Sequence, residues 1–239
     1  MNVLPVRGLP EIEAGDDVGA LIAERIALEQ GDVVVVAQKA VSKAEGRVIP
    51  LDDIDPSERA RELAVDGEDP RRIEAILGEA AAIVRVRPPL LIAQTRHGFI
   101  CASAGVDASN APPGTLVLLP LDPDASAHAI RDRIRELTGA HVGVVVTDSF
   151  GRPFRMGTTD VAIGAAGIRV LDDLRGTRDR SGHELRSTQI AIADELAAAA
   201  QLVMGKADGI PAAVVRGLDV AGDGSARDLI IPEELDLFR

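Results

Sequence analysis

The sequence predicts an α+β protein in which mixed or antiparallel sheets are flanked by helices. Two patterns support this class: some segments repeat apolar residues at helical spacing, whereas others are short and continuously apolar, as buried strands are. Segments of these two kinds follow one another in mixed order along the 239 residues. Because 46% of the residues are hydrophobic, the chain can form one folded unit with a substantial core.

The first predicted elements are a strand, a helix and a second strand. Val3–Val6 is a short apolar run, and Asp16–Asp17 then offers a cap for a helix whose apolar residues recur at helical spacing. Gly31 ends that helix. The four valines Val33–Val36 predict a strand that is buried on both faces. The polar segment Gln38–Lys43 predicts a turn after this strand.

The middle of the chain predicts two short helices followed by several strands. The helices are expected at Ser57–Ala64 and Pro70–Ala81, the second because proline is favoured at the first helical position. Gly, Pro and Asn then separate shorter apolar runs, which is typical of strands joined by turns. The predicted strands are Ile83–Val86, Leu90–Ala93, Phe99–Ala102 and Thr115–Leu119.

The last part of the chain predicts further helices and strands and one polar loop, Arg175–Gly182, which we expect to be mobile. In order, the elements are a helix, three strands, an alanine-rich helix and a final strand: Ala125–Leu137, Val142–Val146, Val161–Ile163, Ile168–Leu171, Ser187–Met204 and Ala212–Val215. We expect residues 1–239 to form a single unit. A second lobe inserted at about residues 85–175 is an alternative division, but no flexible linker marks its borders.

Composition narrows the possible functions. The net charge of −12 opposes nucleic-acid binding because it repels phosphates, and the chain has no Trp or Tyr to stack on bases. A small-molecule substrate fits better. No segment approaches the ~18 apolar residues of a membrane span, and no leader precedes Val3, so we expect a cytoplasmic protein without a membrane partner. Cys101 is the only cysteine, which excludes an internal disulfide, and we expect it to pack in the core.

The strongest local signal is the polar sequence after the strand Val142–Val146. Asp148 can bind Mg²⁺ or Mn²⁺, and Ser149 adds a hydroxyl oxygen. Arg152 and Arg155 could clamp phosphate or carboxylate oxygens. Such side chains at the carboxyl end of a strand often form ligand sites. The alternative is a capped turn with two surface arginines.

A second acidic turn, Gly105–Asn110, also follows an apolar run. Asp107, Ser109 and Asn110 bring a carboxylate, a hydroxyl and an amide together within four residues. Because Asp and Asn are ordinary turn formers, a purely structural turn is the alternative. If Asp107 and Asp148 meet, the two carboxylates form a minimal site for a divalent ion that bridges nucleotide phosphates.

Lysine is rare in this chain. Only three of the 26 basic residues are lysine, at Lys39, Lys43 and Lys206. Where arginine fills ordinary surface positions, a remaining lysine can indicate a need for a compact ammonium group, and chance survival is the alternative. The segment Gln38–Lys43 lacks the spacing of a Walker loop. Met204–Lys206 closes a helix, where a plain glycine cap is the alternative. The four histidines show no metal-ligand spacing.

Several ordered motifs together cover essentially the whole chain. They are Leu4–Glu11, Asp32–Val36, Val41–Gly46, Gly105–Asn110, Val146–Ser149 with Gly151–Arg152, Asp160–Gly167, Leu202–Lys206 and Asp236–Arg239. In these motifs the chain resembles the coenzyme F420:γ-glutamyl ligase family. The resemblance implies a family-specific α+β fold in two lobes, commonly as an intertwined homodimer. Some relatives carry a fused C-terminal flavin reductase-like domain, which we do not expect here.

The resemblance also implies the roles of individual residues. Asp107 and Asp148 would bind one divalent metal ion, Mg²⁺ or Mn²⁺, and Ser149 a second, with a monovalent cation as an optional addition. Asp107, Asp148, Lys43 and Arg152 would form the catalytic set. GTP would contact Leu9, Pro10, Glu11, Ile12, Gln38, Lys43, Asn110, Met204, Gly205, Lys206, Ala207, Asp208, Gly209, Ile210 and Pro211.

This sequence departs from the family pattern at two of these positions. Gln38 stands where some relatives carry Ser. Lys206 stands where archaeal members often have a Gln that reaches the second metal ion. Occupancy by two metal ions is therefore an open question for this chain.

The reaction implied by the resemblance begins when GTP phosphorylates a carboxylate of a deazaflavin precursor. The amine of L-glutamate then attacks the acyl phosphate to form an amide, and GDP and phosphate leave. Positioning and charge neutralisation would supply most of the catalysis, and no protein nucleophile is needed. Two alternatives are another metal-dependent carboxylate phosphotransferase and a non-catalytic protein that binds a nucleotide or deazaflavin.

Overall fold

The computed structural model describes residues 1–237, so Phe238 and Arg239 of the last motif lie outside it. None of the helices in this range is both long and apolar enough to cross a bilayer. The α-helices are α1 (Val18–Arg25), α2 (Gln38–Ala44), α3 (Glu58–Leu63), α4 (Pro70–Glu79), α5 (Pro123–Thr138) and α6 (Ile192–Met204). The strands are β1 (Asn2–Pro5), β2 (Val33–Ala37), β3 (Val48–Pro50), β4 (Ala80–Arg87), β5 (Leu90–Thr95), β6 (Ile100–Ala102), β7 (Thr115–Val117), β8 (Gly143–Gly151), β9 (Thr158–Ala166), β10 (Asp172–Asp173), β11 (Gln189–Ile190) and β12 (Ala212–Arg216).

The largest sheet has five strands in the order β1-β12-β2-β8-β9. β2 and β8 run parallel, and every other neighbouring pair in this sheet is antiparallel. Helix α5 packs against β8 and β9, and α6 packs against β9, β12 and β1. The valines of β2 and β8 are almost completely buried. The predicted strand with two buried faces is therefore confirmed.

A second hydrophobic cluster is formed by residues between Ile49 and Leu118. Its buried members include Ile73 and Ile76 of α4 and Leu91 of β5. Here β4, β5 and β6 form an antiparallel sheet, and β3 pairs with β7. The predicted α+β class, with several sheets flanked by helices, is confirmed. The division into two lobes stays a prediction.

The helix boundaries follow from capping residues. Asp17 accepts a hydrogen bond of 2.9 Å from the Ala20 N–H at the start of α1. Asp69 caps α4, and Pro70 occupies its first turn, as predicted. Gly139 ends α5 with a φ of 74°, a left-handed conformation that glycine adopts without steric cost.

Three predicted helix boundaries are wrong. The first helix ends at Arg25 rather than at Gly31, because Ile26 already has an extended conformation. Gln38–Lys43 forms most of α2 rather than a turn, because it contains good helix formers and no Gly, Pro or Asn. The last helix begins at Ile192 rather than near Ser187, because Gln189–Ile190 pairs with Asp172–Asp173 as a short hairpin. At Gln38–Lys43 and at Gln189–Ile190 the local sequence fits more than one conformation. Contacts with the rest of the chain decide which one forms.

Two predicted strands also need correction, and one observed strand has no predicted counterpart in the same region. Ile168–Leu171 does not form a regular strand: Ile168 makes only an isolated bridge to Ala221, although its side chain is buried in the core. The strand predicted at Thr115–Leu119 ends at Val117, and β3 is not predicted at all. The exposed loop Arg175–Gly182 is bridged to its neighbours by backbone hydrogen bonds, and its mobility stays a prediction.

Candidate functional site

One cavity of about 510 Å³ lies at the edge of the main sheet where β2 passes into α2. Five parts of the chain line it: the loop before α1, helix α2 with the end of β2, the turn at Asn110 and Ala111, the β8–β9 hairpin, and the end of α6 with the loop that follows. It contains most of the residues that the sequence predicts to bind GTP or metal: Leu9, Pro10, Glu11, Ile12, Gln38, Lys43, Asn110, Asp148, Ser149, Met204, Gly205, Lys206, Ala207, Gly209, Ile210 and Pro211.

The parallel pairing of β2 and β8 explains why distant segments meet here. The last parallel pair is Ala37 with Thr147, so the next residues of both strands emerge at the same sheet edge. On one strand these are Gln38 and Lys39, and on the other they are Asp148 and Ser149. Asp148 is nevertheless not in a loop: β8 continues to Gly151, paired with β9. The sequence predicted the sheet edge correctly but missed the hairpin that extends beyond it.

Lys39 connects the two predicted metal-binding acids. Its Nζ lies 2.7 Å from Oδ2 of Asp107, and its charge also acts on Asp148. Burial opposes ionisation of Asp107, but hydrogen bonds from Lys39 and from Ser109 outweigh it and lower the pKa of Asp107 to about 2. Asp107 does not itself line the cavity. The ammonium group of Lys39, which Asp107 contacts, belongs to a residue that does, and it also acts on Asp148 in the cavity lining.

Asp148 has the opposite electrostatic environment. Part of its side chain faces the cavity, but the surrounding protein removes water, and this burial raises the pKa of Asp148 to about 6. The charges of Lys39 and Lys206 and a backbone N–H partly offset the effect, whereas the negative charge of Asp160 adds to it. A cation bound beside this carboxylate would offset the burial that disfavours its ionisation.

Asp160 is the main site residue that sequence reasoning missed. It is buried, it lines the cavity, and it stands opposite Ser149 in the β8–β9 hairpin. Ser149 Oγ donates a hydrogen bond of 2.6 Å to Asp160 Oδ1. Burial raises the pKa of Asp160, and the Ser149 hydroxyl and Lys206 oppose this. Asp160 begins one of the family motifs, but only the register of the hairpin places it beside Ser149.

Gln38 contributes an unpaired donor to the cavity. Its side chain is buried, and its Oε1 accepts a hydrogen bond of 2.9 Å from Ser42 Oγ. Its Nε2 is buried without a hydrogen-bond partner in residues 1–237. Buried amide groups are nearly always hydrogen-bonded, so this nitrogen is a ready donor for a polar ligand in the cavity.

The rim of the cavity is held by contacts between separate loops. The Lys43 ammonium group contacts the Glu11 carboxylate. Asn110 Nδ2 donates a hydrogen bond of 3.2 Å to the Lys206 carbonyl, which ties the Asp107 turn to the loop after α6. Gly205 has a φ of 63° and a ψ of −179°, a backbone conformation that essentially only glycine adopts. Glycine is therefore required for this loop to close.

Two further predicted residues lie outside the cavity lining. Arg152 lies in the β8–β9 hairpin, where it donates a hydrogen bond of 2.6 Å to the Met156 carbonyl. Asp208 lies in the loop that rims the cavity but does not line it. Their predicted roles in catalysis and nucleotide binding stay predictions. Besides Asp160, the lining residues that the sequence did not single out as ligands include Lys39, Thr147 and Gln201.

The donors in the cavity suit a hard divalent cation only in part. Asp148, Asp160 and Ser149 place oxygen atoms at the cavity, and oxygen is the ligand atom that Mg²⁺ and Mn²⁺ prefer. Across residues 1–237, however, no three acidic, histidine or cysteine side chains converge closely enough to hold an ion by themselves. The set therefore fits an ion that completes its coordination with substrate phosphates and water.

The buried thiol near this cavity is not reactive. Burial, with the negative charge of Asp148, raises the pKa of Cys101 to about 12. The thiol is therefore protonated at neutral pH, and a thiolate nucleophile is not available. The predicted core-packing role of Cys101 agrees with its burial.

Comparison with known proteins gives the family directly. The sequence model of the F420-0:gamma-glutamyl ligase family matches residues 8–217. Coenzyme F420:L-glutamate ligase of Methanopyrus kandleri is 51% identical, with 100% of this chain and 98% of the relative covered. Proteins of the same name from Methanothermobacter thermautotrophicus (45% identical; 100% and 99% covered) and Methanocaldococcus jannaschii (48%; 97% and 94%) are also similar. The chain therefore belongs to the F420-0:gamma-glutamyl ligase family.

Proposed function

We propose that this protein joins L-glutamate to the deazaflavin precursor F420-0 with GTP as the phosphoryl donor. The observation that carries the proposal is the distribution of lysine. Lys39, Lys43 and Lys206 are the only lysines of the chain, and all of them line the cavity. In a protein with a net charge of −12, this concentrates compact positive charge where a triphosphate would bind.

The acidic residues of the same cavity support phosphoryl transfer rather than simple anion binding. Asp148 and Ser149, with Asp107 on the other side of Lys39, would hold Mg²⁺ or Mn²⁺ beside the phosphates. Bound there, the ion would neutralise charge on the phosphate oxygens. Lys39 and Lys206 add positive charge at the same place, because both act electrostatically on Asp148. The chain's own part is to position and neutralise the reactants.

The proposed chemistry balances in two steps. A carboxylate oxygen of the precursor attacks the γ-phosphorus of GTP, which releases GDP and forms an acyl phosphate. The neutral amine of L-glutamate then attacks the acyl carbon, phosphate leaves with the former carboxylate oxygen, and the amine loses a proton. Neither step needs a covalent bond to the protein, which agrees with the protonated state of Cys101.

Mass spectrometry tests the proposed reaction. With F420-0, L-glutamate, GTP and Mg²⁺, we expect a product heavier by one glutamyl residue, together with GDP. Without glutamate but with hydroxylamine, the acyl phosphate should be trapped as a hydroxamate. GDP formation without an amide product would instead indicate a different carboxylate phosphotransferase. Binding of GTP or precursor without any turnover would indicate a non-catalytic binding protein.

A homodimer is part of the proposal. Strand β4 forms the edge of its sheet, pairs only with β5, and is exposed along nearly all of its length. Its side chains include apolar Ile83, Val84 and Val86, with Arg85 and Arg87 between and after them. A second copy would cover this exposed edge and its apolar side chains. Light scattering on the wild type and on Val84→Lys tests this: the variant should dissociate, and a monomeric wild type would contradict the proposal.

A further inference from the structure

The β8–β9 hairpin gives Ser149 a defined orientation. Ser149 and Asp160 are directly opposed in the antiparallel register, so their side chains lie on the same face of the sheet. Both side chains line the cavity. A serine hydroxyl has one proton, and here the proton points to Asp160 Oδ1 at 2.6 Å. Its oxygen lone pairs are consequently left for another partner.

Asp160 is itself held in place from the other side. Its backbone N–H donates a hydrogen bond of 3.1 Å to Gln201 Oε1 of α6. Because Asp160 is only 7% exposed, it has little freedom to move. The Ser149 hydroxyl therefore donates to the carboxylate of a buried residue whose backbone is held by both β9 and α6.

A neutral acceptor would be enough to orient Ser149 for purely structural purposes. The chain instead has a carboxylate, although the charges of Asp160 and Asp148 repel one another. Two buried, mutually repelling carboxylates are unfavourable unless cations lie nearby. Lys39 and Lys206 supply part of this positive charge. Gln38, which lines the same cavity, also has a buried Nε2 without a hydrogen-bond partner in residues 1–237, as expected where a polar ligand completes a site.

We propose that Asp160 is a positioning residue of the cation site: it holds the Ser149 hydroxyl with its oxygen facing the bound Mg²⁺ or Mn²⁺ and adds negative charge beside Asp148. The inference rests on the proposed function, because it assumes a divalent cation and a nucleotide in this cavity. Carboxylates that orient a metal-binding side chain typically change metal affinity by about 10- to 100-fold when they are replaced.

The test measures Mn²⁺ affinity without turnover, by titration calorimetry or Mn²⁺ paramagnetic resonance on the protein saturated with GDP. Asp160→Asn should bind Mn²⁺ about 10- to 100-fold more weakly than the wild type. Ser149→Ala should show a similar loss, and the double variant should lose less than the sum of the two single losses, because part of the Asp160 effect acts through the Ser149 hydroxyl. In glutamate ligation, Asp160→Asn should raise the apparent KM for Mn²⁺, and excess Mn²⁺ should restore kcat.

Asp194→Asn is the matched control. Asp194 is also a largely buried carboxylate, and its Oδ1 accepts a hydrogen bond of 2.8 Å from the Ala162 N–H of the same strand, β9. Asp194 does not line the cavity, so the Mn²⁺ affinity of the Asp194→Asn variant should equal that of the wild type. Should Asp160→Asn fail to fold, Asp160→Ser replaces it with the same expected loss.

The outcomes separate this inference from the proposed reaction. Wild-type Mn²⁺ affinity in a folded Asp160 variant would overturn the positioning role, even if the enzyme ligates glutamate normally. An equal loss of affinity in Asp194→Asn would also overturn it, because any buried acid contacting β9 would then have the same effect. If the predicted Mn²⁺ losses occur but no glutamate is ligated, the positioning role is supported and only the reaction is wrong.

Discussion

Within strand β8, Val144–Val146 and Thr147–Ser149 are adjacent in sequence but lie in opposite environments. The three valines are 0% exposed and pack in the main hydrophobic core. The next three residues carry hydroxyl and carboxyl groups, and all three line the cavity, with Asp160 opposite Ser149. One continuous strand thus provides both the centre of the core and the edge of the site.

The difference teaches that stability and function are separated by a few residues along one strand. The apolar half lowers the free energy of the folded state by burying side chains. The polar half raises the free energy of the folded state. Burial disfavours ionisation of Asp148 and of the neighbouring Asp160, as their raised pKa values show, and the two negative charges repel each other. Residues that break the local rule of apolar burial are expected at functional sites. Substitutions in the two halves should therefore have different consequences.

The largest effect on turnover is expected for Asp148→Asn. The amide keeps the shape of the side chain but loses the charge that would hold a divalent ion, so kcat/KM should fall by roughly 10³-fold, or about 4 kcal/mol. Turnover per folded molecule is the measurement, with a thermal melt as the folding control.

The double variant Asp107→Asn/Asp148→Asn extends this prediction. If both acids serve one ion, the second substitution should remove little further activity. Near-normal turnover in either single variant would contradict a metal role for that residue.

The largest effect on stability is expected for Ile163→Ala. Ile163 lies in β9 three residues after Asp160 and is almost completely buried in the main core. Removing its side chain should lower the free energy of unfolding by about 2–5 kcal/mol. Chemical denaturation measures this loss. The folded fraction should keep its turnover, and a turnover loss like that of Asp148→Asn would show that core and site are not separable.

A smaller effect is expected for Lys43→Ala. Its ammonium group contacts Glu11, whose side chain is mostly exposed, so the loss of this ion pair should change stability little. The loss of a charged contact to phosphate should weaken GTP binding by roughly 10- to 100-fold. Calorimetric titration of GTP measures this effect. Arg59→Ala removes a surface charge from α3 and serves as the control; equal GTP affinities in both variants would make Lys43 an ordinary surface lysine.

The smallest expected effect is a gain in stability of Asp148→Asn that depends on pH. The pKa of Asp148 is about 6 in the folded protein, above its ordinary value of 3.8. The folded state therefore binds more protons than the unfolded state between these values, and stability falls as the pH rises from about 4 to about 6. Without metal, Asp148→Asn should melt higher than the wild type at pH 7 and equally at pH 4. A lower Tm at pH 7 would contradict the cost assigned to this carboxylate.

Asp107 should show the reverse dependence. Hydrogen bonds from Lys39 and Ser109 hold the pKa of Asp107 near 2 despite its burial. Its contribution to stability is therefore present above pH 4 and is lost as the pH falls toward 2. Asp107→Asn should lower the Tm at pH 7 and have less effect at low pH. Identical pH profiles for the two Asn variants would contradict the environments described for Asp107 and Asp148.

The sequence predicts the apolar elements better than the polar ones. The valine runs of β2 and β8 are unambiguous because continuous burial leaves few alternatives. Gln38–Lys43 is assigned incorrectly because a polar segment after a strand is compatible with a turn or a helix, and the contacts of α2 decide. Residues from distant segments that meet only in the folded chain are harder still: Lys39 and Asp107 are 68 positions apart, and their contact is visible only in the structure.

Asp160 shows the limit most clearly. It heads an apolar run, where an acidic residue is equally typical of a strand end exposed to solvent. Only the pairing of Ser149 with Asp160 reveals that its carboxylate is buried and faces the cavity. The predicted roles of Arg152 and Asp208 illustrate the opposite case, since the family resemblance assigns a role to both but neither lines the cavity.

The most direct test of the account uses F420-0 labelled with ¹⁸O in the carboxylate that receives glutamate. If the cavity activates this carboxylate with GTP, one labelled oxygen must pass into the phosphate that leaves when the amine attacks. Mass spectrometry of the released phosphate should therefore show one ¹⁸O atom for each amide formed. Unlabelled phosphate accompanying a normal yield of glutamyl product would contradict the acyl-phosphate route and, with it, the central role assigned to the polar half of β8.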